Sequence, residues 1–600
     1  NDIGTAIGPS RAHPETGEIL DADVVLTDGW IRYFNYQFND LLPKMAMEGM
    51  SPETLAWLNK HPKYDPRILL ADPAQQDFIL SQREALGVQQ YGGHPAAHTD
   101  NALYGDDEYD GQFGVQSQFN GMCLASTGKA MDVALMRMQL DIAKSMIDDD
   151  EDAEEDKGDM LDGMPDWFIG PMLADLVAHE VGHTLGLRHN FKASSIYTEA
   201  EINSEEVKGK PFAASVMDYN PININMEAGD VQGDYTMVGI GDYDYWVIRY
   251  GYGDDPEETA KLTAEKNIPY ATDEDTWGID PLARRYDFSA WPLEYAENQM
   301  RLIDYYRDRL MDSFVEEGQS WSRARRGYNI TLGQQMSTIS MMANWIGGAH
   351  VYRDKKGDPN GRPPLVVVDA DKQRAALKYV LETGMRDEAF GITPELLTHL
   401  TADLWMDRWG NFFDDPAFPI NDRINGIMSS SLTMIMNPTT LKNVYDNEFR
   451  VASDEDAITV PEVMSSVVDE VFSEIAEAPR QTFTDRQPMI SSFRRNLQIG
   501  LVDRLIDLTK PDAMSGAAAA PVRVLSSQYL RQIKDQVNSV LEDEGKLDAY
   551  TLAHLAELAV RIDKALDADY IYNTNDMGGG GGNTIIYFGK DTPNSTPNNK

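Results

Sequence analysis

The sequence predicts an α+β lobe followed by a mainly α-helical domain, and two observations carry that reading. In the first 255 residues an alternating, strand-like segment and amphipathic helices are separated by long stretches rich in Gly, Asp, Asn and Tyr. From Pro292 onward, apolar residues recur at three-and-four spacing almost without interruption, the signature of packed amphipathic helices. At 600 residues with 42% hydrophobic content, the chain can bury more than one core. The expected division is a lobe over 1–255, a helical domain over 256–570 and a flexible Gly/Asn/Pro-rich tail over 571–600.

Taken in order, Glu18 to Leu26 alternates, with Leu20, Ala22, Val24 and Leu26 on one face, and predicts a half-buried strand. Gly29 to Met47 predicts an amphipathic helix. Gln89 to Phe119 predicts a long surface loop: His94 and His98 are four apart there, but Gly92, Gly93 and Pro95 argue against the helix that would give that spacing meaning. Thr127 to Ile147 is a strong amphipathic helix. It runs into Asp148 to Asp159, with nine acids and one lysine, a solvated run in which a Ca2+ site stays open although the EF-hand spacing is absent. A further helix is expected from Pro171, a residue suited to a first turn, to about Leu185. Ile240 to Gly253 predicts a short aromatic helix closed by Gly251, and Asp254 to Asp280 a connector. The helices then run Leu293–Phe314, Leu332–Trp345, Ala370–Glu382, Pro394–Trp405, Asn421–Met436, Val460–Ala478, Pro488–Leu508, Leu525–Glu542 and Ala549–Leu566. His350, His399 and His554 stand singly among them and are expected to be structural. In the tail, Thr584 to Phe588 is apolar enough to add a strand to a neighbour.

The chemistry concentrates in Ala178 to Phe191, AHEVGHTLGLRHNF, which contains HExxHxxGxxH as His179, Glu180, His183, Gly186 and His189. Histidines four apart on a helix project from one face, so both imidazoles can reach one metal ion with Glu180 beside its open side. Gly186 can turn the chain out of the helix and bring His189 back to the same ion. Three neutral imidazoles and a water make a catalytic zinc site. The short HExxH form also arises by chance on amphipathic helices, but the extended form fixes five positions in eleven residues and uses three of the chain's ten histidines. Ser215-Val216-Met217-Asp218-Tyr219 follows, with Met217 28 residues after His189.

The extended motif with this downstream methionine resembles the metzincin clan of zinc endopeptidases. GPSRAHPETGEILDADVVL, HEVGHTLGLRHNF and SVMDYNP together are similar to a family of large bacterial zinc-dependent metalloproteases, and GGAHVYRD, DKQRAALKYVLE and FRRNLQIGLVDRLI are similar to its helical C-terminal region. The resemblance implies an α+β metzincin-like protease lobe, one catalytic Zn2+, and a Met-turn in which Met217 floors the site. It also implies that Tyr219 faces the metal and stabilises the oxyanion, and that the chain is exported: secreted, periplasmic or on the cell surface. Glu180 is expected to be the general base for hydrolysis of protein or peptide substrates. By analogy with the clan, Glu18 to Leu26 is the candidate edge for an extended substrate. In the family a strand, a long helix and a second strand precede this segment. They are not found here, so the lobe is expected to be completed by the N-terminal fragment of the same precursor. Two readings compete: a zinc-dependent binding or assembly protein with a vestigial site, and a non-hydrolytic surface protein acting through its helical domain.

A net charge of −46 repels nucleic acid and anionic membrane surfaces, which disfavours a DNA-binding role. Cys123 is the single cysteine, so no intrachain disulfide forms, and its residue type suggests a small buried side chain. No apolar run approaches the roughly 18 residues that span a bilayer, and there is no signal-peptide pattern. The start at Asn1 suggests an upstream segment removed by processing or trimming.

Overall fold

Among the described residues, the predicted periodicity from Pro292 to Ile435 becomes four long helices, Pro292–Arg309, Ser322–Ala343, Ala370–Met385 and Ile420–Ile435, with the short helix Pro394–His399 before the last. Ser322–Ala343 packs against the other three and against Phe38–Met47, which explains why Tyr328, Leu332, Met336, Ile339 and Met342 are all buried. Thr331 and Gln335 on the same face are buried too and are paired. Arg307 donates from Nε to Thr331 Oγ1 at 3.0 Å and from Nη2 to Gln335 Oε1 at 2.7 Å, while Gln335 Nε2 donates to the Thr383 carbonyl at 2.7 Å. A buried guanidinium is tolerated because its donors are met by fixed acceptors.

The computed structural model describes residues 6–7, 10–13, 15–26, 38–71, 73–86, 125–148, 160–161, 164–226, 229–265, 267–404, 415–476, 479, 481–510, 513–567, 570–573 and 585–588. The expected loop with His94 and His98, Cys123, and the acidic run beyond Asp148 lie outside them. The chain divides into two compact units, Asn1–Met464 and Ser465–Lys600, so the expected border at 255 falls inside the first unit. In the second unit, Ser492–Thr509, Ala519–Leu541 and Ala549–Leu566 pack on one another through Leu497, Leu501, Leu505, Ile533, Val537, Leu555, Leu558 and Ile562, all fully buried. Asp548 caps the last of these helices, accepting from Thr551 N at 2.8 Å.

Strands are few among the described residues. Among the described residues every ladder is two-stranded. The strand expected over Glu18–Leu26 is split into Ile19–Ala22 and Val25–Leu26, and Leu20 and Val24 are exposed rather than half-buried. The physical reason is local: among the described residues Ile19–Ala22 pairs only with the three-residue strand Ser10–Ala12, through an irregular register. In the expected tail, Ile585–Phe588 pairs antiparallel with Tyr570–Asn573, so the apolar run adds its strand to the residues just before it.

The early helix is described from Phe38 to Met47, with Pro43 inside it, and its expected start at Gly29 lies outside the described residues. The histidine helix begins at Asp166, so Pro171 lies in its interior rather than its first turn. The aromatic helix Asp242–Tyr252 ends at Gly253, whose N–H donates to the Arg249 carbonyl at 2.9 Å, and not at Gly251. No helix among the described residues is long and apolar enough to cross a membrane.

Candidate metal centre

The histidine helix, Asp166–Thr184, places His179, Glu180 and His183 on its buried side, with relative exposures of 2%, 0% and 1%. It ends in a turn that the sequence dictates. Leu185 is the cap, Gly186 follows with φ +88°, Gly186 N donates to the His183 carbonyl at 2.9 Å and Leu187 N to the Gly182 carbonyl at 3.1 Å. This is the paired hydrogen-bond pattern of a left-handed helix terminator, which glycine adopts without the steric cost other residues carry. The chain then doubles back, and His189 arrives beside the other two with 6% exposure.

The ligand nitrogens of His179, His183 and His189 lie within 4.8 Å of one another. Each imidazole is oriented by an acceptor at its Nδ1. His179 Nδ1 donates to the Val216 carbonyl at 2.7 Å, His183 Nδ1 to the Leu187 carbonyl at 2.9 Å, and His189 Nδ1 to Asp273 Oδ2 at 2.9 Å. With Nδ1 carrying the proton, Nε2 carries the lone pair on all three rings. His179 Nε2 and His183 Nε2 are 3.1 Å apart. Two lone pairs so placed repel unless a cation lies between them, and nitrogens each about 2.0–2.1 Å from a tetrahedral zinc are roughly 3.3 Å apart. The residues present therefore fit a zinc ion, with the orienting partners such ligands normally have.

The segment after His189 is tied to the Met-turn. Asn190 N donates to the Met217 carbonyl at 2.9 Å, and Met217, fully buried, fills the space beside Gly182 of the histidine helix. Tyr219, 3% exposed, lies with its ring centroid 4.9 Å from that of His189 and donates from its hydroxyl to His189 Nε2 at 2.8 Å. Of the residues singled out from the sequence, His179, His183, His189, Met217 and Tyr219 lie together here, Glu180 is buried on the same helix, and Gly186 forms the turn that ends it.

Several residues that hold the site were not singled out. Asp244, from the aromatic helix, accepts from Ser215 Oγ at 2.5 Å, Val216 N at 3.0 Å and Gly241 N at 2.9 Å, so this helix anchors the Met-turn as well as packing. Burial pushes its carboxyl pKa up, against the pull of those donors. Asp218 accepts from Ser194 N and Tyr219 N at 2.9 and 2.8 Å; burial raises its pKa to about 7. Asp273 lies in what the sequence presented as a connector. Only its local signal, the capping box of Thr272 and Asp275, was readable there. The GGAHVYRD segment supports the same region from outside: Asp280 binds Lys192 Nζ at 2.5 Å, His350 Nδ1 at 3.2 Å and Val351 N at 2.9 Å. Lys192 and His350 there hold Asp280 at a pKa of about 2 despite its burial.

A buried set of three imidazoles, with their Nδ1 atoms fixed and a methionine turn beside them, defines a metal-holding site of the metzincin class. The chain belongs to the Met-zincin family, whose model matches residues 162–479, more than half of its length. Neither the comparison with curated proteins nor that with solved structures returned a match.

Proposed function

We propose that this protein is a zinc-dependent endopeptidase. The carrying observation is that His179, His183 and His189 each commit Nδ1 to a protein acceptor and so offer three Nε2 lone pairs to one point. Bound there, zinc supplies a water of lowered pKa and polarises the scissile carbonyl. Glu180, fully buried beside His179, takes the proton from the attacking water as oxygen bonds to the carbonyl carbon. It returns that proton to the amide nitrogen as the carbon–nitrogen bond breaks. Tyr219 releases its hydroxyl from His189 Nε2 when that lone pair is used, and donates instead to the oxygen that gains negative charge.

The test is zinc content by elemental mass spectrometry together with cleavage of casein or quenched peptides, with and without a chelator. One zinc per chain and chelator-sensitive cleavage support the reading. Zinc without cleavage would favour the alternative, a zinc-binding, non-hydrolytic surface or assembly protein.

Two further parts of the proposal concern setting. The histidine helix leaves Val177, Val181 and Leu185 about 40% exposed on the side away from the histidines, an apolar stripe that water solvates poorly. We infer that a companion polypeptide covers it. Intact mass of natively purified protein would show a second chain at fixed ratio, and a monodisperse, active single chain would refute it. Export to the cell exterior, periplasm or cell surface is the matching location.

A further inference from the structure

The third histidine is held from farther away than the turn that carries it. Asp273 accepts from His189 Nδ1 through Oδ2 and from Arg285 Nη2 through Oδ1, both at 2.9 Å. Arg285 in turn donates from Nη1 to Glu48 Oε1 at 3.1 Å, and its guanidinium lies 4.5 Å from the centroid of the Phe191 ring, which itself stacks on His189 at 4.8 Å. Arg285 and Glu48 are 3% and 6% exposed. Glu48 follows the helix Phe38–Met47, Asp273 lies in a 3-10 turn, and Arg285 comes from the irregular stretch after it. Residues 48, 273, 285 and 189 are thus joined in one line, buried except at Asp273, which is partly exposed.

The chemistry of that line is directional. A guanidinium only donates, and a carboxylate only accepts. With Arg285 claiming Oδ1, the remaining oxygen can satisfy His189 only if the imidazole proton is on Nδ1, which leaves the Nε2 lone pair for a metal. We propose that Asp273 selects the metal-binding tautomer of His189 and that Arg285, anchored by Glu48, is a positioning residue that holds the Asp273 carboxylate toward it. This rests on the zinc-site reading and adds to it residues that lie outside the histidine motif and touch no ligand directly.

The inference gives an isosteric substitution an unusual outcome. Asn at 273 has one acceptor oxygen and one donor nitrogen. Arg285 takes the oxygen, so the amide N–H turns to His189 Nδ1, which must accept, and the imidazole proton moves to Nε2. Asp273→Asn should therefore weaken zinc binding about 10–100-fold, as loss of an orienting partner does elsewhere. Removing Arg285 frees the Asn oxygen to face His189. The triple variant Asp273→Asn/Arg285→Met/Glu48→Gln, in which Glu48 is neutralised so that no lone charge stays buried, should bind zinc more tightly than Asp273→Asn alone. A purely structural role predicts the opposite, a further loss.

The experiment is competition of the full chain with a chromophoric chelator for zinc, with apo-protein melting curves as a check on folding. Histidine-selective 15N NMR of apo Asp273→Asn reports the tautomer directly. A proton on His189 Nε2 and recovery in the triple variant support the proposal. A zinc affinity for Asp273→Asn within roughly threefold of wild type, well short of the loss expected for an orienting partner, would overturn it, as would a triple variant no tighter than the single one. If the triple variant does not fold, the NMR decides, and a proton still on Nδ1 overturns the proposal. Wild-type protein that takes up no zinc removes the zinc-site reading as well, so the two failures are distinguishable.

Discussion

Met217 Sδ occupies the position that a side chain on Gly182 would need. Gly182 lies between His179 and His183 on one helix, so the Met-turn can come close to the site only because residue 182 has no Cβ. Gly182→Ala should push the turn away from the helix and disturb both imidazoles. We expect a loss of about 1–3 kcal/mol, the usual cost of overpacking a filled core, with reduced zinc content. Thermal melting and elemental analysis check this. Unchanged melting and zinc would mean that the packing of Met217 on the helix is incidental.

Gly186 presents the opposite case. Nothing lies within 4 Å of a Cβ built there, yet its φ is +88°. The cost of Gly186→Ala is then conformational alone, about 1–2 kcal/mol for a left-handed residue, and it falls on the turn that returns His189. Asn tolerates this region better than Ala. Zinc affinity should rank Gly above Asn above Ala, measured by chelator competition; a reversed order of Asn and Ala would contradict the backbone explanation.

These two glycines show what was legible in the sequence and what was not. Gly186 was readable because its role is local: a helix ends, and the residue type permits the turn. The spacing of His179, His183 and His189 was readable for the same reason, whereas the pairing of the histidine motif with Met217 came from the resemblance to the metzincin clan. Gly182 and Asp273 were not readable, since each acts through a contact with a residue distant in sequence, and nothing in the neighbouring residues signals it. The strand over Glu18–Leu26 shows the converse. Alternation states which face would be buried if a sheet lay beneath, but Leu20 and Val24 remain exposed because the described partner strand is only Ser10–Ala12. The helices after Pro292 were legible in kind, and some in length as well, Ala549–Leu566 among them, but not every start. Ser322–Ala343 begins ten residues before the expected Leu332: Ala324, Gly327 and Tyr328 in its first turns are buried, while the intervening Arg323 and Arg326 hide that face in the sequence pattern.

The roles proposed for Glu180 and Tyr219 separate chemistry from metal binding. Glu180→Gln removes the proton acceptor but none of the three imidazoles, so it should lower kcat by about 10²–10⁴-fold and leave zinc content unchanged. Tyr219→Phe removes a donor to the developing oxyanion and should cost about 10²-fold in kcat, again with zinc retained. Single-turnover cleavage of a quenched peptide, alongside zinc analysis, checks both. Substantial turnover by Glu180→Gln would show that another group carries the proton.

The last prediction concerns pH and a carboxyl away from the metal. Glu199, at the start of the short helix Glu199–Ile202, is fully buried, and its N–H donates to Glu294 Oε2 at 3.3 Å. Burial first, and the neighbouring Glu294 second, push its pKa from 4.5 up to about 8. Between these values the folded chain keeps a proton that the unfolded chain has released. The folded state therefore binds more protons, and stability falls as pH rises through this window. The contribution is fully present below about 4.5 and is lost by about 8. Glu199→Gln keeps a neutral side chain at every pH, so the variant should match wild type near pH 5 and exceed it by about 3 kcal/mol near pH 8, an order-of-magnitude figure from linkage. Denaturant midpoints of both proteins at the two pH values provide the measurement. A gap that does not widen toward pH 8 would show that Glu199 ionises in the ordinary carboxylate range.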